Sequence, residues 1–277
     1  MQTQLFGPLR YSAGMAYRSV GDGPVLVLLH GGSGSRTHWS RNVFELSQRF
    51  KVVTVDLPGF GQSATPPDPI DPSDYLEWVA DSLALFLRDE PVFHLAGFSF
   101  GGAVTAATAA ILARRGRAPR RVSLLSPAGF GKPVGRSVQL EKVSTGGNTS
   151  EQEIRAATAR NLGRWMLYRE PAANDAAVDI HLQNVAQARF DSRQISHRNS
   201  VIADLQAAQV PVQIILGTAD PLIFPSLEAR RATLTEAVPG ARIQTITDAG
   251  HWLAYEASGT VNALLAQFHL QGEPNGI

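Results

Sequence analysis

Short apolar runs alternate along the chain with longer segments in which apolar residues recur at helical spacing. Residues 25–29 form a continuous apolar run, which is typical of a strand that is buried on both faces. Similar runs predict further strands at 51–55, 92–96, 121–125, 212–216 and 241–247. Because helices are predicted between most of these strands, the pattern favours a mostly parallel sheet with helices on both faces. The first twenty residues alternate weakly and predict an antiparallel edge hairpin.

The helical patterns fall into two groups. Three of them, at 39–49, 75–87 and 103–115, lie between the early strands, and one at 258–268 ends the chain. Three more, at 151–169, 175–189 and about 196–208, follow one another without a strand signal. A strand-free stretch of this length is too long for a loop in a compact sheet protein. We therefore expect a helical cap at 128–208, inserted into a core that comprises 1–127 and 209–277.

Composition narrows the classes of protein. The 277 residues include no cysteine, so disulfides, cysteine-bound metals and thiol nucleophiles are excluded. Lys and Arg number 25 against 24 Asp and Glu, with no charge run that would follow a nucleic-acid backbone. The apolar runs are far shorter than the roughly twenty residues of a membrane span, and residues 1–10 do not resemble a signal peptide. The expectation is a cytoplasmic protein with a small-molecule substrate and no nucleic-acid or membrane partner; its oligomeric state is left open.

The segment Gly97-Phe98-Ser99-Phe100-Gly101 lies between a predicted strand and a predicted helix. A serine in such a turn, with small residues two places on either side, has the pattern of a nucleophile elbow. Side chains at Gly97 and Gly101 would collide with the neighbouring strand and helix, and the strained turn lifts the Ser99 hydroxyl clear of the sheet. The alternative is an ordinary turn in which Ser99 caps the helix.

Asp220 and His251 also lie just beyond predicted strand ends, where ligands bind in open α/β sheets. A serine hydroxyl needs a base, imidazole titrates near neutrality, and a carboxylate fixes the imidazole tautomer. The chain order of serine, acid and histidine is the one that accompanies this elbow. Asp220 could instead initiate a turn before Pro221, and Asp248 is a rival acid. We interpret the other histidines as structural or solvent-facing: His38, His94, His181, His197 and His269.

A serine that attacks a carbonyl needs hydrogen-bond donors for the oxyanion that forms. The backbone N–H of Phe100 is one expected donor, and Gly32 or Ser33, in the glycine-rich loop after the strand 25–29, supplies the other. A phosphate-binding loop is the alternative, but the segment 31–34 has neither the lysine of a P-loop nor the spacing of a dinucleotide fingerprint.

Five motifs together resemble the α/β-hydrolase fold family: 30–32, 56–63, the elbow at Ser99, 217–220 and 250–252. The resemblance implies an eight-stranded, mostly parallel sheet, acyl-enzyme serine chemistry, no cofactor or metal, and a cap that shapes the substrate pocket. Serine at the elbow separates the chain from the haloalkane dehalogenase and epoxide hydrolase branches, which carry an aspartate nucleophile.

Within that family, the cap and the pair His251-Trp252 are similar to carbon–carbon bond hydrolases of meta-cleavage products. Those enzymes usually have asparagine where this chain has Phe98, and a Gly-Pro-Gly loop where this chain has Gly-Ser-Gly at 32–34. Their cap arginine has three candidate counterparts here: Arg160, Arg164 and Arg189.

Aromatic and aliphatic side chains flank the candidate chemistry and favour an apolar or aromatic acyl group. The residues expected to line the pocket are Trp39, Phe98, Phe130, Ile223, Phe224 and Trp252. The sequence thus predicts a carboxylesterase-like serine hydrolase of small esters. A carbon–carbon hydrolase of diketones and a non-catalytic binding protein are the alternatives, and hydrolysis is not distinguished from acyl transfer.

Overall fold

Eight strands form one sheet in a computed structural model that describes residues 5–133, 138–142 and 149–272. The spatial order is β1-β2-β4-β3-β5-β6-β7-β8. Only the pairs β1/β2 and β2/β4 are antiparallel, so the predicted edge hairpin and mostly parallel sheet are confirmed. The strands are β1 Leu9–Ser12, β2 Met15–Val20, β3 Val25–Leu29, β4 Lys51–Asp56, β5 Phe93–Phe98, β6 Arg121–Leu125, β7 Val212–Gly217 and β8 Arg242–Ile246.

Helices cover both faces of the sheet. In β3, Val25, Val27 and Leu29 join one buried cluster, whereas Leu26 and Leu28 join the cluster on the opposite face. This alternation explains why the strand is apolar at every position. The α-helices are α1 Val43–Leu46, α2 Pro72–Phe86, α3 Phe100–Arg114, α4 Glu151–Trp165, α5 Ala176–Ala186, α6 Arg193–Ser196, α7 Val201–Ala208, α8 Leu227–Ala237, α9 Leu253–Glu256 and α10 Ser258–His269.

The helix predicted at 39–49 is wrong in its extent. A 3₁₀ turn occupies Arg36–Trp39, and α1 begins only at Val43. The intervening Asn42 is fully buried and donates its side-chain amide to Asn262, 2.8 Å away. Serine and asparagine compete with the helix for backbone hydrogen bonds, so this segment folds as two short turns rather than one helix.

The helix α8 was not anticipated. Its N-cap is clear, because the Ser226 hydroxyl accepts from the N–H of Ala229. Leu234 is its only fully buried side chain, so the segment has no apolar stripe of the kind that marks a helix in a sequence. The four-residue α9 was missed for a related reason, since it is too short to show a period.

The helices α4 to α7 lie between β6 and β7, which are adjacent in the sheet. The helix predicted at about 196–208 begins only at Val201, as α7, and the separate short helix α6 ends at Ser196. The helix α7 packs against α3 in the core through Val201, Leu205 and Ala208. The division into a core and a cap at 128–208 stays a prediction, and parts of it (1–4, 134–137, 143–148 and 273–277) lie outside the described residues. No helix in the described chain has the length and hydropathy needed to cross a membrane.

Several histidines are held neutral by burial. Desolvation lowers the pKa of His30, His94 and His181 to about 4, and it lowers the pKa of His38 and His269 well below the usual value. In the unfolded chain the same imidazoles take up protons near pH 6.5. The folded protein therefore binds fewer protons than the unfolded chain as the pH falls below that value.

We expect the free energy of unfolding to fall as the pH is lowered from 6.5 towards 4, because protons bind preferentially to the unfolded chain. Each of these histidines contributes a slope of up to about 1.4 kcal/mol per pH unit. Urea unfolding between pH 7 and pH 5 measures the slope. His94→Phe, which removes one such group, should make the slope shallower by about that amount; a pH-independent stability in the wild-type protein would contradict the explanation.

Candidate active site

The turn at Ser99 joins β5 directly to α3. Its backbone has φ +53° and ψ −117°, an uncommon conformation for a residue with a side chain. Four hydrogen bonds hold it there: Ser99 N–H donates to the Leu125 carbonyl, and the Ser99 carbonyl accepts from Gly102, Ala103 and Ala128. The strained conformation is thus fixed by the neighbouring strand end and by the helix itself.

Two glycines permit this turn. A Cβ at Gly101 would overlap the backbone carbonyls of Leu29 and His30, at the end of β3. A Cβ at Gly97 would overlap the Thr105 hydroxyl and the Gly101 carbonyl. The first turn of α3 therefore lies against the ends of β3 and β5 at a distance that only glycine allows, as the sequence predicted on steric grounds.

Ser99, His251 and Asp220 form one chain of hydrogen bonds. The Ser99 Oγ lies 2.8 Å from His251 Nε2, and His251 Nδ1 lies 2.8 Å from Asp220 Oδ2. The second carboxylate oxygen of Asp220 accepts from the N–H of Leu222 at 2.8 Å. When Nδ1 donates to the carboxylate, the Nε2 lone pair faces the serine hydroxyl, which is the tautomer that a general base requires.

The rival acid Asp248 lies outside this chain. It is exposed, has φ +54°, and its N–H donates to the Thr218 hydroxyl. These features are those of a turn residue, and among the acids that the sequence offered only Asp220 contacts His251.

Three backbone N–H groups beside Ser99 are available to a ligand. Those of Phe100, Gly32 and Ser33 donate to no acceptor within the described residues, and all three residues line the same cavity as Ser99. The N–H of Gly31 is instead occupied, since it donates to His38 Nδ1 at 3.2 Å. The positive φ of Ser33, +48°, turns the loop at this point. These three N–H groups are therefore the candidates for donors to a ligand in the cavity.

A buried network, which the sequence analysis did not anticipate, holds the loop that carries Gly32. His30 Nε2 accepts from the N–H of Leu57 at 2.9 Å, and its Nδ1 lies 2.8 Å from the Gly31 carbonyl. Asp56 accepts from the backbone N–H and from Nη1 of Arg36, at 2.8 and 2.6 Å. The loops after β3 and β4 are thereby joined. The only sequence signal was the position of His30 and Asp56 at two strand ends.

A cavity of about 570 Å³ opens beside Ser99. Four of the predicted pocket residues line it: Phe98, Phe130, Ile223 and Phe224. Trp165, Met166 and Phe190 contribute a wall from the helical segment between β6 and β7. The cavity therefore has aromatic side chains in its wall next to the hydrogen-bonded chain.

Trp39 and Trp252 do not line this cavity, which corrects the sequence expectation. Both are fully buried in the core. Trp252 donates its indole N–H to the His38 carbonyl at 3.0 Å and stacks on Tyr255, with ring centroids 4.4 Å apart. Both tryptophans lie next to candidate site residues or loops in the sequence, but the sequence does not show on which side of the backbone each indole lies.

Polar groups in the cavity wall escaped the sequence analysis. They are Ser126, Lys132, Asp191, Ser192, Arg193, Ser196, His197 and Arg230. Most of them lie in loops or first helical turns, where no periodicity marks the side that faces a cavity. His197, interpreted as structural or solvent-facing, is exposed and borders the cavity.

The three cap arginines lie elsewhere. Arg160 and Arg164 both pair with Glu141, and Arg189 donates to Thr65 and to the carbonyls of Gly61 and Ser63. None of the three lines the cavity.

The wall at Phe190 is anchored to the core. Phe190 stacks on Tyr75 of α2 with ring centroids 4.4 Å apart, and the N–H of Arg189 donates to the Gly59 carbonyl at 2.8 Å. Gly32 lies so close to Ser192 that a Cβ there would overlap the serine hydroxyl. The wall and the loop that carries Gly32 are therefore packed against each other.

An eight-stranded, mostly parallel sheet with a serine at a sharp strand-to-helix turn is the architecture of the α/β-hydrolases. The model of the alpha/beta hydrolase family matches residues 26–264, and the chain belongs to that family. The predicted fold class is thereby confirmed.

Individual relatives are only moderately similar in sequence. The chain is 31% identical over 258 residues to a dihydrolipoyllysine-residue acetyltransferase component of an acetoin cleaving system from Pseudomonas putida. The alignment covers 89% of this chain but only 63% of that protein's length. It is 28% identical to carboxylesterase YbfK of Bacillus subtilis, across 89% of this chain and 80% of the relative.

Among solved structures, a meta-cleavage product hydrolase from Pseudomonas fluorescens superposes with a TM-score of 0.74. The alignment covers 98% of this chain and all of that one, at 22% identity. This likeness shows a shared fold.

Replacing Gly101 by alanine should destabilise the protein by about 2–3 kcal/mol, because the new methyl group overlaps backbone atoms that cannot move aside. Gly259→Ala is the matched control, since a Cβ there meets nothing within 4 Å and the residue lies in α10. The control should leave stability unchanged or raise it by up to about 1 kcal/mol. Urea unfolding measures both; equal effects of the two substitutions would contradict the steric explanation.

Proposed function

We propose that this protein is a serine hydrolase that cleaves small carboxylic esters with an apolar or aromatic part, through Ser99, His251 and Asp220. The observation that carries the proposal is the pair of 2.8 Å contacts that links these three side chains beside a cavity. Its support is chemical: a nucleophile, a base and an orienting acid lie in the required order.

In the proposed first step, His251 Nε2 takes the proton from Ser99 Oγ as that oxygen attacks the ester carbonyl carbon. The carbonyl oxygen becomes an oxyanion, which accepts hydrogen bonds from the N–H of Phe100 and from Gly32 or Ser33. Asp220 stabilises the imidazolium while it carries the proton. Collapse of the intermediate breaks the ester C–O bond, and the leaving alkoxide takes the proton from His251.

In the second step, water replaces the alcohol beside His251 and gives up a proton to Nε2 as it attacks the acyl-enzyme carbonyl. The same donors stabilise the second oxyanion. The Ser99–acyl bond then breaks, Ser99 Oγ recovers the proton from His251, and a carboxylic acid leaves. Each proton that His251 accepts is returned within the same half-reaction, so the cycle closes without a cofactor.

The cavity supports the choice of a small substrate. Its volume of about 570 Å³ lies within the range of sites that hold molecules of drug size. Phe98, Phe130, Phe190 and Phe224 give it aromatic walls. In this proposal the helices between β6 and β7 act as the cap, since Trp165, Met166 and Phe190 supply the wall that closes over the acyl group.

Cleavage of a carbon–carbon bond is less well supported. The three candidates for the cap arginine that the resemblance implied, Arg160, Arg164 and Arg189, are engaged elsewhere. Arg193 does line the cavity, but it is paired with Asp191. Transfer of the acyl group to another acceptor uses the same first step and differs only in the nucleophile of the second. A substrate panel of 4-nitrophenyl esters and vinylogous 1,5-diketones, with and without added alcohols, separates the three reactions.

Ser99→Ala should lower kcat on an activated ester by about 10⁶-fold, because the nucleophile is lost. Asp220→Asn should lower it by about 10⁴-fold, because the imidazole is left in the wrong tautomer. Asp248→Asn is the control for the rival acid and should leave kcat within about twofold. Steady-state kinetics on a 4-nitrophenyl ester measure all three.

Unchanged turnover by Ser99→Ala would refute the assignment of the nucleophile, and a large loss in Asp248→Asn would refute that of the acid. Covalent labelling by a fluorophosphonate, detected by intact mass, gives an independent readout. The wild-type protein should gain one adduct on Ser99, whereas a non-catalytic binding protein should gain none.

A further inference from the structure

Arg230 brings a positive charge into the cavity wall beside two aromatic side chains. It lies in the first turn of α8, and its guanidinium carbon stands 3.5 Å from the centroid of the Phe130 ring. Its Nη2 donates to the Phe224 carbonyl at 2.7 Å. Both Phe130 and Phe224 line the cavity with it, so the guanidinium is held in a fixed position by an aromatic face and a carbonyl.

The charge of Arg230 has no carboxylate partner within the described residues. Its Nε and Nη1 donate to no acceptor there, and neither atom is among the buried polar atoms that lack a partner. Two of the three guanidinium nitrogens are therefore left open to a ligand. Arg193, which borders the same cavity, differs in this respect, because it is paired with Asp191 at 2.8 Å.

The nearby carboxylate is not an ion-pair partner of Arg230. The oxygens of Asp220 accept from His251 and from the N–H of Leu222, and no contact within 4.0 Å joins Asp220 to Arg230 in the part of the chain that the structure describes. Burial lowers the pKa of Arg230 to about 10 and the charge of Asp220 partly offsets this effect, so the group is still a cation at neutral pH. A partly buried cation without an ion pair is unfavourable, and an anionic ligand group would offset that cost.

We propose that Arg230 forms an anion-binding subsite within the cavity, and that the preferred substrates are esters that carry a carboxylate. The inference rests on the proposed ester hydrolysis and narrows its substrate class. Guanidinium donates charge-assisted hydrogen bonds to a carboxylate, and such bonds would also fix the orientation of the substrate relative to Ser99.

The carboxylate could lie on either half of the ester. The 4-nitrophenyl monoester of glutaric acid carries it on the acyl part, and 4-nitrophenyl pentanoate is the neutral counterpart of similar shape. The acetate ester of 3-hydroxybenzoate carries it on the alcohol part, with phenyl acetate as counterpart. A preference of the wild-type enzyme for the charged member of one pair identifies the half that faces Arg230.

The test is the ratio of kcat/KM for the charged and neutral member of that pair. In Arg230→Gln the ratio should fall at least tenfold, chiefly through KM of the charged ester. The ratio of Arg230→Lys, which keeps the charge but not the planar guanidinium, should lie between those of the wild-type enzyme and Arg230→Gln. Arg231→Gln is the matched control, because it removes a charge from the next position of α8, outside the cavity. Its ratio should match that of the wild-type enzyme.

Arg230 could instead only hold Phe130 and Phe224 in place. Arg230→Gln would then impair charged and neutral esters equally and leave the ratio unchanged, which would overturn the proposal. A wild-type enzyme that prefers the neutral member of both pairs would overturn it as well, whether or not Arg230→Gln folds.

Binding separates this inference from the hydrolase proposal. Calorimetry with Ser99→Ala should show that monomethyl glutarate binds more tightly than dimethyl glutarate, and that a Ser99→Ala, Arg230→Gln double variant loses the difference. If that result holds while the wild-type protein hydrolyses no ester, the hydrolase proposal fails and the subsite stands. If esters are hydrolysed through Ser99, both glutarates bind equally and the wild-type enzyme prefers the neutral member of both ester pairs, only the subsite fails.

Discussion

The close approach of α3 to the ends of β3 and β5 is the constraint on which the candidate site depends. It exists because Gly97 and Gly101 have no Cβ to keep the backbones apart. That approach places the Ser99 hydroxyl, the N–H of Phe100 and the loop of Gly32 in one small volume. The Ser99 carbonyl also accepts from the N–H of Ala128. The same turn therefore fixes the start of the segment between β6 and the helices of the cavity wall.

Much of this site was predictable because parallel strands end at one edge of a sheet. Once the apolar runs were recognised as parallel strands, Ser99, Asp220 and His251 were all expected at the same edge of the sheet. The sequence also pointed to the glycine-rich loop after β3, and Gly32 and Ser33 of that loop line the cavity beside Ser99. These inferences needed only chain direction and local sterics.

The parts that were missed depend on which side of a backbone a residue faces. Trp39 and Trp252 are adjacent to the site along the chain, yet both indoles are directed into the core. Arg230 lies in a helix that has a single buried side chain, so no apolar pattern in the sequence indicated the helix or the face that it turns towards the cavity. The hydrogen bonds of His30 and Asp56 join the loops after β3 and β4. They depend on how close the ends of these two strands lie, and no single segment of the sequence encodes that distance.

The anchoring of Phe190 and Ser192 makes one side of the cavity preorganised. Stacking on Tyr75, the bond from Arg189 to Gly59 and the contact with Gly32 join that side to the core and to the N–H donors. A ligand would spend little of its binding free energy on ordering this wall, and the wall could not be reshaped during evolution without disturbing the donors. The side chain of Leu222, which lines the cavity and is 37% exposed, is not part of these anchoring contacts. New substrate ranges are therefore more accessible through changes on the side of Leu222 than through changes around Phe190.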